Sequence, residues 1–347
     1  MNRKTLVESL SLLGSQIKGV VEGDRSVAYF DQISNAIDKA GQVNPWFEKR
    51  FVMLSLSNIS RWLEKENLEK WLEGYNFDYS SPKNVAIIMA GNIPLVGFHD
   101  FLSVLVSGNN AIIKMSSKDA VLLPTLVQYL YELNTDFQNR IIFADNLLKN
   151  FDAVIATGSD NSGKYFDYYF GKYPSIIRRN RNSVAVVHKD DSVGIYELLS
   201  NDIMDYFGLG CRSVSKIYIP LGFQKEAFLD SFHNHNSLIH NYKYFNNYEY
   251  NKSILLINRV PHLDSGMLLM KEDISLVSPV AVLNYEYYDG ESELEQVLKS
   301  ESNKIQCILS SKWNFSGCVK PGMSQFPDLN DWADGVNVLD FLIGLKN

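Results

Sequence analysis

The chain has 347 residues, 46% hydrophobic and 21% charged, which is too long for one small core, too apolar for disorder, and suited to two domains. A net charge of −7 excludes a general attraction to nucleic acid or to an anionic membrane, while leaving room for a local basic pocket around a phosphate-bearing ligand. Three cysteines (Cys211, Cys307 and Cys318) are too few for a disulfide framework, point to a reducing compartment, and have no zinc-ligand spacing. At the start, Glu8 interrupts the apolar stretch and no small-residue cleavage site follows, so no signal peptide is expected. The most apolar region, residues 85–115, is broken by Asn92, Pro94, His99, Asp100 and Gly108, so no membrane span is expected and the expected location is the cytoplasm.

In chain order, the first eighty residues carry apolar residues at helical spacing with charges between them, and residues 74–82 end that pattern. From Asn84 the texture changes to short apolar runs bounded by turns. NVAIIMA reads as a buried strand, then a Gly-Asn-x-Pro turn and the helix VGFHDFLSVLVSG. Strand AIIKM, a helix around LVQYLYEL, strand RIIF, a short helix, strand DAVIAT and helix KYFDYYFG follow. Strands alternating with helices signal a parallel α/β sheet. A second alternating block starts near Ser183 with strand SVAVVH, helix IYELLSNDIMDYF, strand SKIYIP and helix FQKEAFLDSF. Further strands are expected at SILLIN, PVAVLNY and IQCILSS. The Asn/Tyr/His-rich residues 233–251 read as a long surface loop or an insertion.

Four constellations carry chemistry. The turn Gly91-Asn92-Ile93-Pro94 follows a strand, where ligands of open α/β sheets bind. An asparagine amide there can face an oxyanion, and it can equally cap the next helix. Lys114 ends a strand and is followed by Ser116, Ser117 and Lys118; a strand-end lysine reaches a ribose or phosphate, or is simply solvated. In ATGSDNSGKYF, Gly158 and Gly163 flank a strand-to-helix turn of the kind that admits a phosphate, although Tyr165 after Gly163-Lys164 rules out a Walker loop. Cys211 follows Gly208 and Gly210 in a helix-to-strand connection, where a thiol can be presented beside Arg212 or be buried as a small hydrophobe. Cys307 falls within an apolar strand and reads as core. His233, His235 and His240 cluster without nearby carboxylates, and an exposed polar loop explains them better than a metal. No GxSxG elbow and no HExxH is present.

The order of these motifs resembles the aldehyde dehydrogenase superfamily. In that resemblance Asn92 matches the oxyanion asparagine of an N-F-P turn, and Lys114 the lysine that holds the adenosine ribose. Thr157, Gly158, Ser159 and Gly163 match the phosphate-side turn, and Cys211 matches the nucleophile. Segments NVAIIMAGNIPLVGFHDFLSVLVSGNNAIIKMSSKD, RRNRNSVAVV, FGLGCRSVSKIYIP and QFPDLNDWADGVNVLDFL are similar to the LuxC-type acyl-CoA reductases, over residues 84–342. The resemblance implies an α/β, aldehyde dehydrogenase-like fold of two domains with the active site between them. A nicotinamide cofactor-binding domain with a helical N-terminal segment is expected over residues 1–187, a catalytic domain over 188–320 and a tail over 321–347. It also implies a homo-oligomer, an acyl-CoA or acyl-carrier thioester as substrate and an acyl-transferring enzyme as partner, with no nucleic acid, no membrane insertion and no metal.

Departures from the family pattern sharpen the chemistry. Oxidising members carry an E-L-G-G-K turn whose glutamate activates water against the thioester. Alignment on Ser183 puts Arg178 there, so hydrolysis should be slow and the acyl-enzyme should meet a thiol or a hydride instead. The family glutamate on the adenosine ribose aligns with Ser117, followed by Lys118. Losing a carboxylate and gaining a cation favours a 2′-phosphate, hence NADPH over NADH. The glutamate on the nicotinamide ribose aligns with Ser275, with Glu272 or Asp273 as replacements after a local shift. The resulting expectation is NADPH-dependent reduction of an acyl thioester, fatty acyl-CoA foremost, to the aldehyde through S-acyl-Cys211. The alternatives are a short-chain CoA-acylating aldehyde dehydrogenase using NAD, or a non-catalytic acyl-carrier- or partner-binding protein of the same fold.

Overall fold

The computed structural model describes residues 2–145, 147–312 and 317–346. The chain divides into two compact units, Met1–Asn180 with Asp328–Asn347, and Arg181–Pro327.

The first unit opens with α1 (Arg3–Glu22), α2 (Phe30–Val43), α3 (Lys49–Trp62) and α4 (Lys65–Trp71). In α1, Asn2 accepts the Thr5 N–H as N-cap, and left-handed Gly23 ends the helix. Leu6, Leu10, Leu13, Ile17 and Val20 form one buried stripe at helical spacing. The α/β part follows as β1 (Asn84–Ile88), α5 (Phe98–Val106), β2 (Asn110–Lys114), α6 (Leu122–Leu133), α7 (Asp136–Arg140), β3 (Ile141–Phe143), β4 (Ala153–Thr157), α8 (Asp160–Phe170) and β5 (Ser175–Arg178). Its sheet is parallel with order β3-β2-β1-β4-β5. The central strands read as continuous apolar runs because helices and sheet bury both faces: Val85, Ala86 and Ile87 are all buried. The chain leaves β1 toward β2 and later returns to β1's other side as β4, so the switch point lies between the carboxyl ends of β1 and β4.

The second unit contains β6 (Asn182–Val186), α9 (Val193–Met204), β7 (Val214–Pro220), α10 (Lys225–Asp230), α11 (Tyr242–Ile257), β8 (His262–Asp264), β9 (Leu269–Glu272), β10 (Val282–Tyr288), α12 (Glu291–Ser300), β11 (Ile305–Ser310) and β12 (Cys318–Val319). Its sheet has order β12-β11-β6-β7-β10-β9-β8, parallel except for the β8–β9 pair.

Several sequence expectations change here. β6 hydrogen-bonds to β7 and β11, so the units divide at 180/181 rather than at 187. The C-terminal segment from Asp328 belongs to the first unit, so the division there falls at 327/328 rather than 320/321. Residues 233–251 are helical, first as a 3-10 segment (Ser231–His240) and then as α11, whose N-cap Asn241 accepts the Lys243 and Tyr244 N–H groups. SILLIN is the end of α11, not a strand: Leu255 is buried while Ile254, Leu256 and Ile257 are exposed, the one-sided burial of a helix. No helix forms between β3 and β4 among the described residues. No helix among them is long and apolar enough to cross a membrane.

Residues 328–346 complete the first unit's core. Leu329, Val338, Leu339 and Leu342 are buried in the same cluster as α1 and α5, and the Leu329 carbonyl meets His99 Nε2 at 2.9 Å. Trp332 packs edge-on against His99 and beside Trp71. Burial pushes the His99 imidazole below its ordinary pKa, which keeps it neutral among these rings. Leu339→Ala should lower unfolding free energy by about 2–5 kcal/mol, read from urea unfolding of the full chain.

Candidate active site

At the carboxyl edge of the first sheet, the segment after β1 carries the predicted Asn92, whose side chain is exposed. Several contacts shape the turn. Met89 N–H reaches the Lys114 carbonyl, and the Pro94 carbonyl accepts Ser55 Oγ at 2.8 Å. Leu95 is left-handed (φ 56°), which costs about 1–2 kcal/mol for a residue with a side chain. Its N–H donates to buried Asp119 Oδ2 at 2.7 Å, and that bond pins the conformation. Burial raises the Asp119 carboxyl to about 6, against the lowering influence of that same N–H.

The next strand brings its own predicted residues beside this turn. A Cβ at Gly91 would lie 2.5 Å from Ser116 Oγ and 3.1 Å from Lys118 Cβ, so glycine is required for the two segments to touch. Ser117 and Lys118 are exposed, and the Lys118 carbonyl accepts Asn44 Nδ2. Lys114 Nζ donates to the Asp145 carbonyl at 2.7 Å.

After β4, Ser159 caps α8, accepting the Ser162 N–H through its side chain and the Gly163 N–H through its carbonyl. A Cβ at Gly158 would meet Phe166 and Ser162 at 2.8 Å, and one at Gly163 would crowd Arg179 at 3.2 Å. The glycines therefore let α8 start tight against its strand, leaving an N-terminus suited to an anion. Thr157 lies in register with Arg178, and Gly158 N–H donates to the Arg178 carbonyl.

Arg178 is the residue whose role changes most. Its guanidinium donates one hydrogen bond to Asp100 (Nη1 to Oδ2, 3.0 Å), and Nη2 lies 2.8 Å from Oδ1 as an ion pair, with both side chains under 10% exposed. Asp100 stands in the first turn of α5, directly after the Asn92 turn. One ion pair thus joins the two turns of the switch point: Arg178's backbone holds the Gly158 turn and its side chain holds the helix that follows Asn92.

In the second unit, Cys211 is exposed on the loop before β7, while Cys307 and Cys318 are buried. The chain enters this loop through Tyr206, Phe207 and Gly208, all with φ between 55° and 72°. Two buried aromatic residues in the left-handed region represent stored strain, about 1–3 kcal/mol each. On β6, Ser183 Oγ donates to the Cys211 carbonyl and accepts the Cys307 N–H. Arg212, read from sequence as a cation for the thiolate, directs Nε to the Ser324 carbonyl at 2.5 Å. Ser275 N–H donates to Asp273, which itself pairs with Lys271. The histidine cluster is taken apart by its helical turns. His235 is buried against Ser200 and His233 faces the Asp230 carbonyl. Among the described residues no group of three or more His, Cys, Asp or Glu is arranged to hold a metal ion.

Sequence reasoning missed Asp100 and Asp119. Each is a single acid within or beside an apolar run, and that oddity was the only signal, since their partners lie many residues away.

The profile of the family described as acyl-CoA reductase (LuxC) matches residues 50–227, just over half of the chain. The chain belongs to the LuxC family. The chain is similar to the long-chain acyl-protein thioester reductase of Aliivibrio fischeri, 24% identical over 168 residues, which cover 44% of this chain and 35% of that protein. The long-chain acyl-protein thioester reductase 2 of Photobacterium leiognathi is 22% identical over 180 residues, 47% of this chain and 37% of that one. The match thus spans little more than a third of the length of either relative. Aldehyde dehydrogenase 21 from Physcomitrella patens, in complex with succinate, superposes with a TM-score of 0.63 at 12% identity, over 97% of this chain and 79% of that one. An aldehyde dehydrogenase from Bacillus cereus in complex with NAD+ gives 0.61 at 12% identity, over 89% and 72%. This LuxC-family chain has the aldehyde dehydrogenase-like fold.

Asp100→Ala would leave the Arg178 guanidinium buried without its carboxylate and should cost about 3–5 kcal/mol of stability. The double variant Asp100→Leu, Arg178→Met should recover much of that loss, and a double-mutant cycle by urea unfolding measures the difference.

Proposed function

We propose that this protein reduces an acyl thioester to the aldehyde with NADPH, through an S-acyl intermediate on Cys211. The observation that carries this reading is the exposed Cys211 on its glycine-flanked loop, beside two cysteines that are both buried.

The carboxyl edge of the first sheet fits a nicotinamide dinucleotide. Glycines stand where a Cβ would fill the turns at Gly91 and Gly158, and the capped N-terminus of α8 suits a phosphate. Thr157, Gly158, Ser159 and Gly163 would hold the pyrophosphate side, and Lys114 the adenosine ribose. Exposed Ser117 and Lys118 would hold a 2′-phosphate, which supports NADPH over NADH. When bound, such a cofactor supplies the hydride equivalent.

The chain's own residues do the rest. The Cys211 thiolate attacks the thioester carbonyl, and the Asn92 amide donates to the oxyanion. The C–S bond to the donor breaks, its thiol leaves with a proton, and the acyl group stays on Cys211. Once the carbonyl carbon has been reduced, the C–S bond to Cys211 breaks, releasing the aldehyde and the thiolate. Good nucleophilicity and good leaving ability in one group serve both halves. Arg178 supports the reductive outcome: a buried guanidinium committed to Asp100 offers no base to activate water against the acyl-enzyme. The names of the curated relatives favour a protein-bound acyl donor beside acyl-CoA.

The test is NADPH oxidation with a panel of acyl-CoA and acyl-carrier-protein substrates. Wild type should consume NADPH and gain the acyl mass when cofactor is withheld. Cys211→Ala should do neither, and turnover by that variant at the wild-type rate rejects the mechanism. For cofactor choice, Lys118→Glu should lower the NADPH/NADH ratio of kcat/KM by about ten-fold, the worth of one charge-assisted bond. An unchanged ratio would remove Lys118 from that role.

A further inference from the structure

Asp202 lies in the last turn of α9 with 1% of its surface exposed. Two costs meet there. A carboxylate is withdrawn from water, and its negative charge sits at the helix end where carbonyl dipoles already point. Its neighbours on the buried face of α9 are Leu199, Ile203 and Met204, so packing alone would favour an apolar side chain. Burial accordingly raises the carboxyl to about 6, against the lowering effect of its hydrogen-bond donors and of the Arg212 charge.

What the carboxylate holds is a segment 120 residues further on. Its two oxygens accept the Gly322 N–H at 2.5 Å and the Ser324 N–H at 2.9 Å. Gly322 is left-handed (φ 82°), and a Cβ there would stand 2.8 Å from Leu198, so the segment is shaped to lie against α9. From the same segment the Ser324 carbonyl accepts Arg212 Nε, and Gln325 Nε2 donates to Ser213 Oγ at 3.2 Å. Arg212 and Ser213 are the two residues that follow Cys211.

We propose that Asp202 is a positioning residue for Cys211: its carboxylate seats residues 322–325 as a strap, and the strap holds the loop on the C-terminal side of the thiol. Ser183 holds the loop at the Cys211 carbonyl. The proposal rests on the reading of Cys211 as the nucleophile. The charged group facing Asp202 from the packed elements is Arg212. The folded-state pKa lies above the unfolded value, so the buried carboxylate costs stability at neutral pH, and that cost disappears as pH falls through about 6 toward the ordinary carboxylate range.

The test compares wild type with Asp202→Asn, which keeps the volume and loses one acceptor. At pH 7.5 the variant should show faster hydrogen exchange in the peptide spanning residues 320–327. Its kcat for NADPH-dependent thioester reduction should fall by up to about a hundred-fold with KM little changed. Wild-type exchange in that peptide, or a wild-type kcat, overturns the proposal. Should the variant fail to fold, Gln325→Ala, which removes the strap's bond to Ser213 Oγ, decides: a lower kcat with KM little changed is expected, and a wild-type kcat overturns the proposal. Full turnover by Cys211→Ala rejects the nucleophile itself, whereas a dead Cys211→Ala with an unaffected Asp202→Asn rejects only the positioning role.

Discussion

The Arg178–Asp100 pair fixes the geometry of the first unit's carboxyl edge. In a parallel sheet with a switch point, the loops leaving adjacent strands diverge, so nothing in the sheet itself registers one loop against the other. Here a buried, hydrogen-bonded ion pair does so, from the last residue of β5 to the first turn of α5. Removing two charges from water is costly, and a hydrophobic pair would pack as well. The specificity of a planar guanidinium clasped by a carboxylate is what an apolar contact lacks, since it fixes orientation as well as separation.

The loop of the second unit is built on different principles. The Cys211 connection is short and enters through strained left-handed backbone. It is held from outside by a serine on β6 and a segment reaching back from beyond β12. Strain at the entry and external bonds at the exit are complementary, because a conformation that costs energy persists only when its surroundings over-determine it.

Much of this was legible in the chain. β1, β2, β4, β6 and β7 are apolar runs bounded by turn residues, and their alternation with helices foretells parallel sheets. The motif residues at their carboxyl ends follow from that placement. SILLIN misled because four consecutive apolar residues fit a strand and a helix end equally well, and the deciding cap, Asn241, lies twelve residues upstream of Ser253. β5 escaped notice because a four-residue strand ending in arginine has too little pattern. The division near 187 was misjudged since β6 follows β5 with only three intervening residues, and membership of a sheet is decided by pairing partners far along the chain. For the same reason the partners of Arg178 and Asp202, 78 and 120 residues distant, leave no local trace.

The return of residues 328–346 to the first unit has a consequence for the order in which the molecule can form. The second unit is an insertion in the first, so a chain emerging from the ribosome completes β1–β5 long before Leu329, Val338, Leu339 and Leu342 are synthesised. Until then the apolar surface around His99, Trp62 and Trp71 that Trp332 and Leu329 contact stays bare. The first unit to be translated is thus the last to be finished, and the exposed interval is a window in which chaperones or self-association compete for that surface.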